Sequence, residues 1–201
     1  MARKRGKKPT NTLWIFCEGE KTEINYFNKL KVNERISRMN IKVQSSDKVT
    51  DAVGIVKYAI SFLKNKKRDF ERDDLIYCVF DRDSNTNQHL EQALKLAKLN
   101  NIQIVFSNPC FEYWILCHFE YFIASCSPED MIRKLKERLG DYQKNDSGIY
   151  KKTKDKIETA ITHAKKVKDK YEKEGIKIIS RESNPSTYVF KLIEKISELK
   201  N

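Results

Sequence analysis

What this chain lacks narrows its class before any motif is read. Its 201 residues hold no apolar run near the ~20 residues of a membrane span, and no apolar leader-like stretch follows the basic start. Five cysteines (Cys17, Cys78, Cys110, Cys117 and Cys126) include no CxxC pair and sit mostly inside apolar stretches. Zinc needs closer, paired ligands, so these read as reduced core thiols of a cytoplasmic protein. No internal repeat and no Gly/Ser linker divides the chain. It is one domain, or one with a sizeable appendage, and long enough to bury a normal core.

Charge, by contrast, is plentiful. Charged residues make up 34% of the chain, with a net charge of +12 and a pI near 9.4. Such a protein is drawn to polyanions, of which nucleic acid is the commonest. Residues 1–11 form a basic arm expected to be disordered, with Arg3, Lys4 and Arg5 as candidate phosphate contacts. Further basic segments fall at 64–68, 133–138 and 151–173, where Lys151 and Lys152 open a lysine-rich stretch diluted by Asp155, Glu158, Asp169 and Glu172. A face of this kind grips backbone phosphate without sequence preference and is salt-sensitive. A merely solvated helix surface accounts for the same run.

Strand-like and helix-like segments alternate from residue 13 to 106. Strand character marks 13–17, 41–44, 74–80 and 102–106; helical spacing marks 22–36, 51–66 and 88–100. This predicts an α/β fold with a mostly parallel sheet of four to five strands flanked by helices. Beyond it, Ser127, Pro128 and Asp130 predict a capped helix over 127–139, 140–148 reads as a loop, and 151–174 as one long helix. Residues 176–179 are a candidate last strand and 185–199 a closing helix. The expected organisation is a core at 12–126, a lysine-rich helical insertion at 127–175, and a last strand and helix at 176–201 returning to the core.

Two buried strands stop abruptly in acid. TLWIFC runs into Glu18, and YCVF into Asp81 and Asp83. Carboxylates at neighbouring strand ends repel one another and lose solvation, so grouping them does not favour a bare fold. Mg2+ or Mn2+ reverses that balance through oxygen ligands, commonly carboxylates plus substrate phosphates. Ligands of open α/β sheets sit at these carboxyl ends. Glu18 would bind metal or move a proton; Asp81 and Asp83 would bind metal. The bland alternative is a pair of polar turns after strands.

The segments FCEGEKTEINYF (16–27), VFDRD (79–83), SNPCFEYWILCHF (107–119) and NPST (184–187) resemble the RloB-like family of abortive-infection proteins from bacterial restriction and defence loci. The order Glu-Gly strand end, then Asp-x-Asp strand end, is similar to the Toprim domain of topoisomerases, primases and OLD-type nucleases. The resemblance implies a Toprim/Rossmann-like core with Glu18 as acid/base glutamate and Asp81 and Asp83 as Mg2+ ligands. Glu20 and Glu23 stand close enough in sequence to share the first role. It also implies antiviral defence beside an ABC- or AAA-type ATPase.

Around these acids, Lys21 and Arg82 could offset phosphate charge. Asn108 could cap a helix or bond a phosphate, and Glu112 could assist catalysis or complement a helix start. Asn184 could cap the closing helix, whose free N–H groups would hold a phosphate. His118 and the aromatics Phe111, Tyr113, Trp114 and Phe119 read as core. The expectation is a metal-dependent nuclease acting on RNA, tRNA or DNA, with no membrane association and no organic cofactor. Its rival is a non-catalytic nucleic-acid-binding or regulatory subunit. A phosphatase of the haloacid-dehalogenase kind fits less well: its Asp-x-Asp opens the fold, and Asn85 stands where those enzymes carry Thr or Val. A primase or topoisomerase would need accessory domains for which the chain has no room.

Overall fold

The computed structural model describes residues 12–18, 22–34, 40–46, 49, 51–65 and 74–199. The first part of the chain alternates as its hydrophobic pattern predicts: β1 (Thr12–Cys17), α1 (Thr22–Glu34), β2 (Asn40–Ser45), α2 (Ala52–Asn65), β3 (Leu75–Asp81), α3 (Asn87–Leu99) and β4 (Ile102–Asn108). α4 (Glu112–Cys117), α5 (Pro128–Leu139), α6 (Ile149–Thr153) and α7 (Ile157–Lys173) follow, then β5 (Ser186–Thr187) and α8 (Val189–Glu198). The sheet order is β2-β1-β3-β4-β5; the first four strands are parallel, and β5 is antiparallel to β4.

Side chains of a strand alternate between faces, and here both faces are covered by helices. Leu13, Ile15, Cys17, Val79 and Val105 join one core with residues of α1, α4 and α8. Trp14, Phe16, Cys78, Phe80 and Phe106 join a second core with α2 and α3. This explains why β1 and β3 read as continuous apolar runs. Met131, Leu135, Ile149, Tyr150, Ala164 and Val167 belong to the first core, so α5, α6 and α7 pack their apolar stripes into the body that holds the sheet. The five cysteines are free thiols, four of them buried. Among the described residues no helix is long and apolar enough to cross a membrane.

The topology sets up the site. From β1 the chain steps to β2 on one side, then crosses to β3 on the other. Strand order therefore reverses at β1/β3, where open α/β sheets form a crevice beyond their carboxyl ends. Cys17 is in register with Val79, and the Glu18 backbone N–H donates to Val79 O at 3.1 Å. Glu18 thus leaves the sheet beside Asp81.

α5 starts as its sequence indicates. The Ser127 hydroxyl accepts from the Asp130 N–H at 3.1 Å, the Asp130 carboxylate accepts from the Ser127 N–H at 3.1 Å, and Pro128 fills the first turn.

Three expectations fail after residue 150. The 151–174 stretch is not one helix: α6 ends at Thr153, a 3-10 turn spans Lys154–Lys156, and α7 begins at Ile157. The Thr153 hydroxyl, fully buried, turns back to Ile149 O at 2.9 Å. Residues 176–179 are not a strand. Ile178 is buried, but its carbonyl accepts the Ser183 hydroxyl at 2.5 Å and that of Lys177 accepts the Ser180 hydroxyl at 2.6 Å. Serine hydroxyls thus take carbonyls that a neighbouring strand would otherwise use. The place beside β4 goes to Ser186–Thr187, where the Ser107 and Thr187 hydroxyls pair at 2.9 Å. The closing helix consequently starts at Val189, not Pro185, and Asn184 does not cap it. The Asn184 side chain instead bridges both backbone groups of Cys126, at 3.3 and 2.9 Å.

Candidate active site

A pocket of about 380 Å3 opens beyond the carboxyl ends of β1 and β3, lined by Glu18, Thr22, Glu23, Asp81, Asp83, Cys110, Glu112, Pro128, Lys144 and Asn145. Five of these are carboxylates from separate parts of the chain. Glu18 follows β1, Glu23 lies in the first turn of α1, Asp81 ends β3, Asp83 sits in the turn beyond it, and Glu112 opens α4. Asp83 has φ of 37°, a left-handed conformation that Asp tolerates better than most residues.

The acids disturb one another. Burial pushes the Glu18 pKa from 4.5 to about 7, helped by the charges of Asp83, Glu23 and Asp51, while the Asp81 N–H opposes it. That N–H donates to Glu18 Oε2 at 3.4 Å. Glu23 is also raised to about 7, chiefly by burial, with Glu112 adding repulsion and Lys144 relieving it. Asp81 is driven well above the ordinary aspartate value by burial and then by Glu23, Glu112 and Asp83, with the Phe111 N–H in partial opposition. Two buried carboxylate oxygens, Glu18 Oε1 and Asp81 Oδ1, have no hydrogen-bond partner among the described residues. Buried polar atoms are normally satisfied, so these are the atoms that a ligand would meet.

An all-oxygen, strongly acidic lining fits a hard divalent cation in donor type. Among the described residues, however, no three Asp, Glu, His or Cys side chains stand close enough together to hold a metal ion as they are. The acids surround the pocket instead of meeting at one point.

Sequence reasoning anticipated Glu18, Asp81, Asp83 and Glu112, with Glu23 as an alternative to Glu18, and all five reach one pocket. Glu112 is 2% exposed, and its Oε1 accepts from the Tyr142 hydroxyl at 3.1 Å. Asn108 does not reach the pocket. It is fully buried, and its amide donates to Ser180 O and Arg181 O at 3.1 and 3.3 Å, so it ties β4 to the 176–183 segment and cannot meet a phosphate at the surface. Arg82 lies between two pocket acids without lining the pocket; its N–H extends the sheet by donating to Ser107 O at 2.8 Å. Lys151 is exposed on α6, while Lys152 is paired with Asp141 and Asp146 at 2.9 and 3.1 Å. Arg3, Lys4, Arg5, Glu20 and Lys21 lie outside the described residues. His118 is a core residue, its Nδ1 within 2.9 Å of Trp114 O and its pKa lowered to about 4 by burial.

Sequence reasoning missed Tyr142 and Lys144. Both belong to the 140–148 loop, which folds back onto acids thirty or more residues away. Partial burial pulls the Lys144 pKa down, but the acidic groups around it, Glu112 first and then Asp81 and Glu23, outweigh it and leave it raised. The available signal was Tyr142 itself: a single large aromatic amid Gly, Asp, Gln, Lys, Asn and Ser, which is the composition of a loop anchored at one point.

Fold and site together define a doubly wound α/β protein with an acidic crevice at its topological switch point. The chain belongs to the RloB-like protein family, whose model matches residues 13–196. Neither the curated proteins nor the solved structures contain a match to it.

Proposed function

We propose that this protein is a divalent-metal-dependent nuclease with a Toprim-like core, working in antiphage defence inside the cell beside an ABC- or AAA-type ATPase. The observation that carries the reading is the gathering of five carboxylates from four elements and one turn at the β1/β3 crevice, with Glu18 Oε1 and Asp81 Oδ1 buried and without a hydrogen-bond partner among the described residues. Keeping such a cluster costs stability, and a cation that serves the reaction is its physical justification. Bound there, Mg2+ or Mn2+ would neutralise phosphate charge and lower the pKa of a water molecule.

Asp81 and Asp83 are the residues assigned to hold the metal, with Glu18 beside them. Glu18 and Glu23, both with pKa about 7, exchange protons near neutrality, which suits a group that accepts a proton from an attacking oxygen or returns one to a leaving oxygen. The Tyr142 hydroxyl fixes the orientation of Glu112. The positive charge of the whole chain supplies attraction to the nucleic acid backbone.

The test is cleavage of labelled tRNA, single-stranded RNA and duplex DNA with Mg2+, Mn2+ or EDTA, with and without a neighbouring ATPase. Wild type should cut one class only with metal, and Asp81→Ala/Asp83→Ala should not cut. Absence of cutting under every condition, with binding equal in the double mutant, would overturn catalysis and leave a nucleic-acid-binding subunit.

A further inference from the structure

We infer that Lys144 is a substrate-contacting residue, placed by the 140–148 loop at the mouth of the acidic pocket to take a non-bridging phosphate oxygen of the incoming strand. The inference rests on the nuclease reading for its substrate class, and on the loop's own construction for its residue.

Charge defines the need. Five carboxylates line the pocket, and a phosphodiester adds another negative charge. One divalent cation leaves such a site negative even when Glu18 or Glu23 holds a proton, so a strand approaching it meets repulsion. Among the described residues that line the pocket, Lys144 is the only cation. Among the described residues it also forms no ion pair of its own, unlike Lys152 on the far side of the loop. Its ammonium is therefore drawn by the field of Glu112, Asp81 and Glu23 without being held by any one of them. A lysine in that state remains available to a ligand.

The loop is built to hold it there. Gly140, at φ 69°, ends α5 in a left-handed conformation that a side chain would strain. Tyr142 is buried beneath the loop and donates to Glu112 Oε1 at 3.1 Å. Asp146 accepts the Gly148 N–H at 2.7 Å, and Lys152 clamps Asp141 and Asp146 together. From α1, the Asn25 amide donates to Asn145 O at 3.3 Å. Lys144 sits between the buried anchor at 142 and the clamp at 145–146. A loop meant only to join α5 to α6 would not need to be fastened to a carboxylate of the pocket.

The experiment is fluorescence anisotropy of labelled single-stranded RNA and DNA oligonucleotides with the full chain in Ca2+, from low to moderate salt. It compares wild type, Lys144→Gln and Lys144→Arg, with thermal melts as a control of folding. Loss of one phosphate contact should weaken binding about fivefold and reduce the salt slope by about one, with Arg restoring both. Because Lys144 is exposed, both variants should still fold and melt cooperatively. Equal affinity and slope in Lys144→Gln would overturn the assignment and leave the nuclease reading to the cleavage assay. Lys144-dependent binding with no cleavage under any metal would do the opposite, sinking the nuclease while keeping Lys144 as a phosphate contact.

Discussion

Neutralising Glu18 should make the metal-free protein more stable, and only above a definite pH. In Glu18→Gln the amide oxygen still accepts from the Asp81 N–H, while the charge facing Asp83 and Glu23 disappears. Glu18 is raised from 4.5 to about 7, so between those values the folded state binds a proton that the unfolded state has released. Stability then falls as pH rises through that window, levelling off above about 7. For an isolated, fully desolvated group a rise of this size corresponds to about 3 kcal/mol. Glu18 is only half-buried and its neighbours share the protons, so about 1–2 kcal/mol is the reasonable figure. In a chain of this length that is about 3–6 °C in melting temperature. His118 tilts the profile the other way: lowered from 6.5 to about 4, it stays neutral in the fold while the unfolded imidazole charges, so stability is lost as pH falls through that range. The informative quantity is therefore the difference between mutant and wild type, measured by thermal melts in EDTA from pH 4.5 to 8. Glu18→Gln should be the more stable at pH 8, with the gain largely gone at pH 4.5. A mutant less stable at pH 8, or an offset that ignores pH, would refute the electrostatic reading of the pocket. Added Mg2+ should raise the wild-type melting temperature more than the mutant's.

Other perturbations separate the scaffold from the site. Asn85→Ala should cost about 1–2 kcal/mol, because the buried Asn85 Oδ1 accepts the Ala52 N–H at 3.0 Å where α2 begins; chemical denaturation measures it. Asn108→Ala should cost about 2 kcal/mol or more, since Ser180 O and Arg181 O both lose a donor, and it should leave oligonucleotide affinity unchanged in anisotropy. Ser127→Ala should lose about 1 kcal/mol through the α5 capping box, also by denaturation, with no effect on binding. Tyr142→Phe should keep the fold within about 1 kcal/mol but lower any metal-dependent cleavage rate, because Glu112 loses the Tyr142 hydroxyl as a donor.

How much of this was legible in the sequence follows from the range of the forces involved. The strands around the crevice were legible because each is buried on both faces: Leu13–Cys17 and Ile76–Phe80 admit no polar residue, so Glu18 and Asp81 stand out as the points where the sheet ends. α2, expected over 51–66, forms at Ala52–Asn65 because its apolar spacing and its packing agree. Residues 176–179 misled for a related reason. Three isoleucines look like a strand, but hydrophobicity reports burial and not hydrogen bonding, and the Ser180 and Ser183 hydroxyls had already engaged the carbonyls. Two-residue β5 shows the reverse, a strand of Ser and Thr with no apolar pattern, held by the β4 edge and a hydroxyl pair.

The same distinction separates the two halves of the pocket. Of its acids, Glu18, Asp81 and Asp83 are a product of local pattern plus parallel topology, since any residue just past β1 or β3 must arrive at the switch point, whereas Glu23 and Glu112 arrive on α1 and α4. Its cation is a product of a loop whose destination depends on one buried tyrosine and a clamp of Lys152 with Asp141 and Asp146, contacts that no periodicity encodes. Lys21, the cation next to the first acid in sequence, lies outside the described residues; Lys144, more than 120 residues further on, reaches the pocket through folding. Because the loop carries Lys144 outside the sheet, charge reversal there should lower strand affinity in anisotropy without disturbing the strands beneath it.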